Sequence, residues 1–144
     1  MIRDASPADY PALAALLGGW ITATPWMPKL HSEAETLWFI GELARRGVVR
    51  VAGRPALGFL ARRGGEVDAL YLDPSVRRQG LGRALLADAM AAEPFLTLWT
   101  FQANAEARAF YNALGFVEVA RTAGENDEGL PDIRLEWRRH VPGY

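Results

Sequence analysis

The chain has 144 residues, half of them hydrophobic and 23% charged, a length and composition that fit a single domain, 1–144, with its own core. It has no cysteine, which removes disulfide frameworks, thiolate metal sites and cysteine nucleophiles, and His31 and His140 are too few for a histidine-rich metal centre. The formal net charge of −1 supplies no global field for nucleic acid or anionic lipid, and Lys29 is the one lysine among 16 basic residues. No apolar leader opens the sequence and nothing approaches the roughly 18 apolar residues of a membrane span, so a soluble cytoplasmic protein without nucleic-acid or membrane partners is expected.

The elements follow in order. After a short extended start at Ile2, Ser6-Pro7-Ala8-Asp9 supplies an N-cap, a proline at the first helical position and an acid three residues past the cap. Leu13, Leu16 and Leu17 stripe the helix that follows, and Gly18-Gly19 is expected to stop it near Leu17. Pro25 and Pro28 make 20–31 an ordered, irregular loop. Ser32 caps a second helix with Glu33 and Glu35 in its first turn, Leu37, Ile40 and Leu43 along one side, and Arg45-Arg46 before Gly47. From Val48 the period changes to two. Strands are expected over 48–52, 56–61 and 67–72, with turns at Gly53-Arg54-Pro55 and Gly64-Gly65 short enough for antiparallel pairing, and Asp73-Pro74 ends the third. A helix over 81–92 and a strand over 96–101 complete a crossover that implies a parallel pair. Asn104 caps a last helix ending at Gly115, and strands over 116–122 and 132–138 close the fold. In the final strand Ile133, Leu135 and Trp137 alternate with Arg134, Glu136 and Arg138, one face buried and one wet. The expected architecture is α/β (α+β layered), a mixed, mostly antiparallel central sheet flanked by helices. The tail Val141-Pro142-Gly143-Tyr144 either extends or seals a sheet edge, and the sequence leaves monomer and homodimer equally open.

The most informative segment is Arg77-Arg78-Gln79-Gly80-Leu81-Gly82-Arg83, between a strand end and a helix start. A helix N-terminus presents unpaired amides and about half a positive charge. Glycines at 80 and 82 let an anion approach the main chain, and the three arginines add forked donors. An isolated glycine pair of this kind is equally a turn with solvated arginines. The P-loop pattern fails for want of its lysine, and the dinucleotide fingerprint fails because Leu85 occupies its third glycine position.

The loop resembles the acyl-CoA loop of the GNAT superfamily of N-acetyltransferases, whose [RQ]-x-x-G-x-[GA] pattern is matched by Arg77, Gly80 and Gly82. Leu70-Tyr71-Leu72-Asp73-Pro74 resembles the strand and turn before that loop, and N-A-E-A-R-A-F-Y-N-A-L-G-F from Asn104 to Phe116 resembles the family's second signature. The similarity extends over nearly the whole chain, including the element order. It implies acetyl-CoA as co-substrate, no metal, and acetyl transfer to a primary amine, of a small molecule or a peptide, by direct attack on the thioester. It further implies a sheet splayed between strands 67–72 and 96–101. There the pantetheine arm would pair with the main chain of Leu70, Tyr71 and Leu72, as a peptide adds to a sheet edge. The diphosphate would lie on Gln79, Gly80, Leu81, Gly82 and Arg83, with Arg77 and Arg78 beside it and Asn104, a helix cap on any reading, as a secondary contact.

The resemblance gives Tyr111 the role of assisting the departing thiolate. A thiol near pKa ~8.5 and a phenol near ~10 leave full proton transfer uphill by roughly 2 kcal/mol, so Tyr111 would stabilise the thiolate without fully protonating it. Spacing alone makes Ala107, Phe110, Tyr111 and Leu114 a core stripe. For the general base, Asp68 stands first and His31 second. Asp68 reads equally as solvent-facing, and His31 as a surface residue before the Ser32 cap. The family builds its acceptor pocket from segments that correspond to 20–31 and 123–132. Here Glu128 and Asp132, with Glu125 and Asp127, would attract a cationic amine, and Trp26, with Met27 and Trp38, would form an apolar wall; a solvated acidic loop and ordinary core are the plainer readings. A non-catalytic acyl-CoA sensor and a generic nucleotide-binding α/β domain remain as alternatives.

Overall fold

A computed structural model of the chain describes residues 1–140; the tail at 141–144, with its choice between extending and sealing a sheet edge, lies outside the described residues. Strands β1 (Ile2–Asp4), β2 (Val48–Ala52), β3 (Gly58–Arg63), β4 (Glu66–Leu72), β5 (Phe95–Phe101), β6 (Val117–Thr122) and β7 (Asp132–Arg138) form one sheet in the order β1-β2-β3-β4-β5-β7-β6. Every neighbouring pair is antiparallel except β4 and β5, which the crossover through α3 (Leu81–Ala92) makes parallel. The remaining helices are α1 (Tyr10–Ala23), α2 (Glu33–Arg46) and α4 (Ala105–Ala113). The mixed, mostly antiparallel sheet is the one the sequence leads to.

Two hydrophobic layers sandwich it. On one face Leu13 and Leu17 of α1 and Ile40 and Leu43 of α2 pack on Val49, Val51, Phe59 and Ala69. On the other, Leu85, Leu86 and Ala89 of α3 and Tyr111 of α4 pack on Val67, Leu96, Leu98, Ile133 and Leu135. Each fully buried Leu, Ile or Phe contributes about 1.5–3 kcal/mol. No helix among the described residues is long and apolar enough to cross a membrane.

Helix α1 differs from its expected length. It runs through Gly18-Gly19 to Ala23, and neither glycine takes the left-handed conformation with which a glycine commonly ends a helix. The stop comes instead at Thr24, whose amide donates to the Ile21 carbonyl and whose hydroxyl donates to the Trp20 carbonyl before Pro25. Helix α2 begins as expected: the Glu35 amide donates to the Ser32 hydroxyl and the Ser32 amide to the Glu35 carboxylate. Strand β3 starts two residues later than the apolar run implies, the Gly53-Arg54-Pro55 turn extending through Leu57, whose amide bonds the Ala52 carbonyl.

The sheet opens between β4 and β5. They share one registered pair, Glu66 with Thr97, where the Thr97 amide donates to the Gly65 carbonyl at 2.8 Å. Gly65 is required there, since a Cβ would lie 2.2 Å from the Phe95 carbonyl oxygen. Just beyond, Ala61 pairs with Ala69 and Arg62 with Val67, so Asp68 is an extra residue, a bulge that bends β4. The bulge also shifts the alternation: Val67 faces the α3 layer, Ala69 and Tyr71 the α1 layer, and Leu70 and Leu72 the α3 layer again.

Candidate active site

Where β4 and β5 part, a cleft of about 1000 Å³ runs through the sheet. Leu70, Leu72, Leu98, Phe110 and Tyr111 line it from the α3 side, and Trp20, Tyr71, Trp99 and Phe101 from the α1 side.

The α3 side is made largely of main chain. Gly80 caps α3 at φ +85° and Arg78 is left-handed at φ +62°, so the loop curls onto the helix start. The first intrahelical bond runs from the Ala84 amide to the Gly80 carbonyl, leaving the amides of Leu81, Gly82 and Arg83 without helical acceptors. A Cβ on Gly82 would meet Phe110 at 3.3 Å and Leu72 at 3.4 Å, two side chains of the cleft wall, so the glycine keeps this corner open. Arg77, Arg78 and Arg83 rim the cleft, and none is ion-paired among the described residues. Amides, glycines and free guanidinium groups at one helix start suit a diphosphate, and the β4 edge left unpaired by β5 suits an extended amide-bearing chain. The residues present therefore fit a coenzyme A thioester.

Several expected donor-side residues line the cleft together: Leu70, Tyr71, Leu72, Arg77, Arg78, Gly80, Gly82, Arg83 and Asn104. Asn104 also caps α4, accepting from the Ala107 amide at 3.1 Å. Gln79 and Leu81 point elsewhere. The Gln79 side chain donates to the Ser75 carbonyl and braces the loop, and Leu81 packs on the core because it begins the buried stripe of α3. Any contact they make with a ligand runs through their amides.

Tyr111 is buried against Phe110 and Phe116, yet lines the cleft, and its hydroxyl makes no hydrogen bond among the described residues. Burial, with the neighbouring Tyr71 phenol adding, pushes its pKa well above that of a free tyrosine. Tyr71 is likewise pushed up to about 12 by burial and by the Glu128 carboxylate. Both phenols are therefore hydrogen-bond donors at neutral pH.

The two base candidates from the sequence fare differently. His31 lies outside the cleft, 52% exposed, its ring 3.8 Å from Glu35 at the start of α2. Proline-bounded chain at 24–32 carries it away from the sheet opening. Asp68 lines the cleft, but both its oxygens are held by the Arg63 guanidinium at 2.7 and 2.9 Å. Trp26 stands one layer behind the wall, edge-on to Trp20 and Phe101, which themselves face the cavity. Met27 and Trp38 do not line it, and Trp38 is 65% exposed on the outer side of α2.

The acidic loop between β6 and β7 does reach the cleft through Glu125, Asn126, Glu128 and Asp132. Asp132 is buried; it accepts from the Thr122 hydroxyl and from Asn126 Nδ2 at 3.0 Å. Asn126 also donates to the Leu130 carbonyl, and Gln102 of the β5 end donates to the carbonyls of Thr122 and Asp132. These bonds fix the loop and leave Glu128 half-buried beside Tyr71. Sequence reasoning placed Trp20 and Asn126 within the segments 20–31 and 123–132 without singling them out, and it missed Trp99, Phe101 and Thr122. Only the alternation of β5, which puts Trp99 and Phe101 on one face, carried a signal for any of them.

A mixed sheet split at its parallel pair, with a glycine–arginine helix start on one side of the split, defines the fold class of the acyl-CoA-dependent acyltransferases. The family model for the acetyltransferase (GNAT) domain matches residues 34–118, and the chain belongs to the GNAT acetyltransferase family. Over 75 residues it is 38% identical to the peptidyl-lysine N-acetyltransferase YjaB of Salmonella typhimurium, an alignment covering 52% of this chain and 51% of that protein. The match thus spans about half the length of this curated relative. The peptidyl-lysine N-acetyltransferase YiaC of Escherichia coli aligns over 95% of this chain and 96% of its own length at 28% identity. The solution structure of apo YjaB from Escherichia coli superposes with a TM-score of 0.78 at 25% identity, covering 97% of this chain and 98% of that one.

Proposed function

We propose that this chain is an acetyl-CoA-dependent N-acetyltransferase that acts in the cytoplasm on the side-chain amine of lysine in a polypeptide. The observation that carries the reading is the cleft through the sheet, with an anion-binding helix start and a free strand edge on one side and aromatic rings with a free carboxylate on the other. The names of the relatives YjaB and YiaC support lysine as the acceptor.

Bound acetyl-CoA supplies an already activated thioester, so no metal is required. The α3 start, through Gly80 and Gly82, holds the diphosphate, and the β4 edge at Leu70 to Leu72 aligns the arm. Of the cleft carboxylates, Asp68 is occupied by Arg63, Asp132 by Thr122 and Asn126, and Glu106 and Glu125 are exposed. Glu128 is left to take a proton from the acceptor ammonium. The freed amine forms the new carbon–nitrogen bond as the carbon–sulfur bond breaks, and the second proton leaving the nitrogen passes to the departing sulfur, so that CoA leaves as the free thiol. Tyr111 donates a hydrogen bond to the departing sulfur. Its raised pKa makes proton donation more uphill than for an ordinary phenol, so it stabilises the thiolate without protonating it.

The test is incubation of the protein with acetyl-CoA and lysine-containing peptides, following free thiol release and peptide mass. A gain of one acetyl group on lysine is expected. Acetyl-CoA binding without turnover on any amine would make the protein a sensor instead, and loss of both would overturn the reading.

A further inference from the structure

The split in the sheet is held by a side-chain cross-link that the donor and acceptor walls do not include. Arg134 of β7 sits opposite Trp99 of β5, its guanidinium 5.3 Å from the Trp99 ring centroid. From there it reaches over β5 and forks onto Glu66 of β4, with N–O distances of 2.9 and 3.1 Å. It thereby ties strands separated by two strand spacings, about 10 Å. Glu66 is the residue that makes the single registered contact between β4 and β5, and Asp68, two residues on, is the bulge at which β4 bends away. The cross-link therefore ends where pairing ends and opening begins.

We propose that Arg134 and Glu66 are positioning residues for the transfer reaction: they fix the closed end of the split and so the placement of the β4 edge opposite β5. The proposal rests on the acetyl-transfer reading for its catalytic consequence but not for its structural one. The physical case follows from what else holds that end. Main-chain pairing there consists of one register position, with the Thr97 amide on the Gly65 carbonyl. Pairing confined to one register position does not fix an angle between strands. A planar fork on a carboxylate does, because both N–H···O bonds keep their geometry only in one orientation. Both side chains are about three-quarters buried, at 23% and 25% exposure, and the Trp99 ring confines the guanidinium, so the pair is screened and mobile to a lesser degree than a surface bridge. The diphosphate site at the α3 start lies beyond the far end of β4, so loosening the closed end shifts the reacting end of the arm more than its anchored end.

The experiment is a double-mutant cycle with Glu66→Gln, Arg134→Met and the double variant, with kcat expressed per site counted by CoA titration. Each single change is expected to lower kcat about tenfold, as a displacement of well under 1 Å does when it misaligns reacting groups. The double variant is expected to fall by the same tenfold and no further, and the CoA dissociation constant to stay within about twofold. A purely structural role would reduce the number of competent sites and leave kcat per site unchanged, which would overturn the proposal. So would losses that multiply in the double variant. Amide hydrogen exchange gives a readout independent of turnover: exchange at Thr97 and along β4 should accelerate in all three variants while the α1 and α2 amides stay protected. Unchanged exchange at Thr97 would overturn the cross-link itself, and a wild type without turnover but with faster exchange in the variants would overturn the acetyl-transfer reading alone.

Discussion

The two walls of the cleft are built from different material. On the α3 side the groups that face the cleft are amides of a helix start and of a strand edge, kept accessible by Gly80 and Gly82. On the α1 side they are the side chains of Trp20, Tyr71, Phe101 and Glu128, brought together from α1, β4, β5 and the β6–β7 loop. Main chain is the same whatever residues carry it, so the first wall suits a ligand that never changes. Side chains alter with single substitutions, so the second suits a ligand that differs from one relative to the next.

That contrast ranks the substitutions. Glu128→Gln should do the most damage, lowering kcat/KM about 100-fold near neutral pH; a loss of about threefold or less would move the proton acceptor elsewhere. Tyr111→Phe should reduce kcat about thirtyfold, the worth of a hydrogen bond to a developing charge, with CoA affinity unchanged by calorimetry. Gly82→Val should weaken CoA binding about tenfold with little loss of fold, since the new methyl groups press on the ends of Phe110 and Leu72, which yield at a modest cost. Arg78→Gln should cost only about threefold in CoA affinity, because an exposed cation beside two others is screened and shared. If Arg78→Gln proved more harmful than Glu128→Gln, the division between a main-chain wall and a side-chain wall would fail.

The phenols offer a quieter check. Tyr71 and Tyr111 have folded-state pKa values raised above the ordinary value near 10. The stabilisation Tyr71 contributes is fully present below pH ~10 and is lost as pH climbs from there through about 12, and that of Tyr111 is lost in the same direction. Phenolate absorbance of the wild type should therefore show a late phase that Tyr71→Phe and Tyr111→Phe each diminish.

What the sequence disclosed follows the same division. The loop at 77–83 and the signature at 104–116 are contiguous, so the resemblance they carry marks the helix start and Tyr111 without any knowledge of packing, where spacing alone would leave Tyr111 in the core. The order of strands and the parallel pair were equally legible, since period and loop length are local properties. The Gly18-Gly19 stop failed because a helix ends by backbone conformation, and Leu17, Trp20 and the capping Thr24 decided that conformation from outside the pair. His31 was drawn to attention by its chemistry and dismissed by its position. The resemblance supplied the splay and the segments 20–31 and 123–132, but not how Trp20, Phe101 and Asn126 meet, since that depends on one extra residue, Asp68, that no pattern marks as a bulge.

A cleft that passes through the sheet also bears on the order of events. With the donor on the main-chain wall and the acceptor on the side-chain wall, as proposed above, neither would need to leave before the other enters, and the chain has no cysteine to store the acetyl group meanwhile. Initial rates plotted in double-reciprocal form against one substrate at several levels of the other should give intersecting lines. Free CoA should compete with acetyl-CoA and should not compete with the amine. A family of parallel lines would mean that the two walls never hold their guests at the same time.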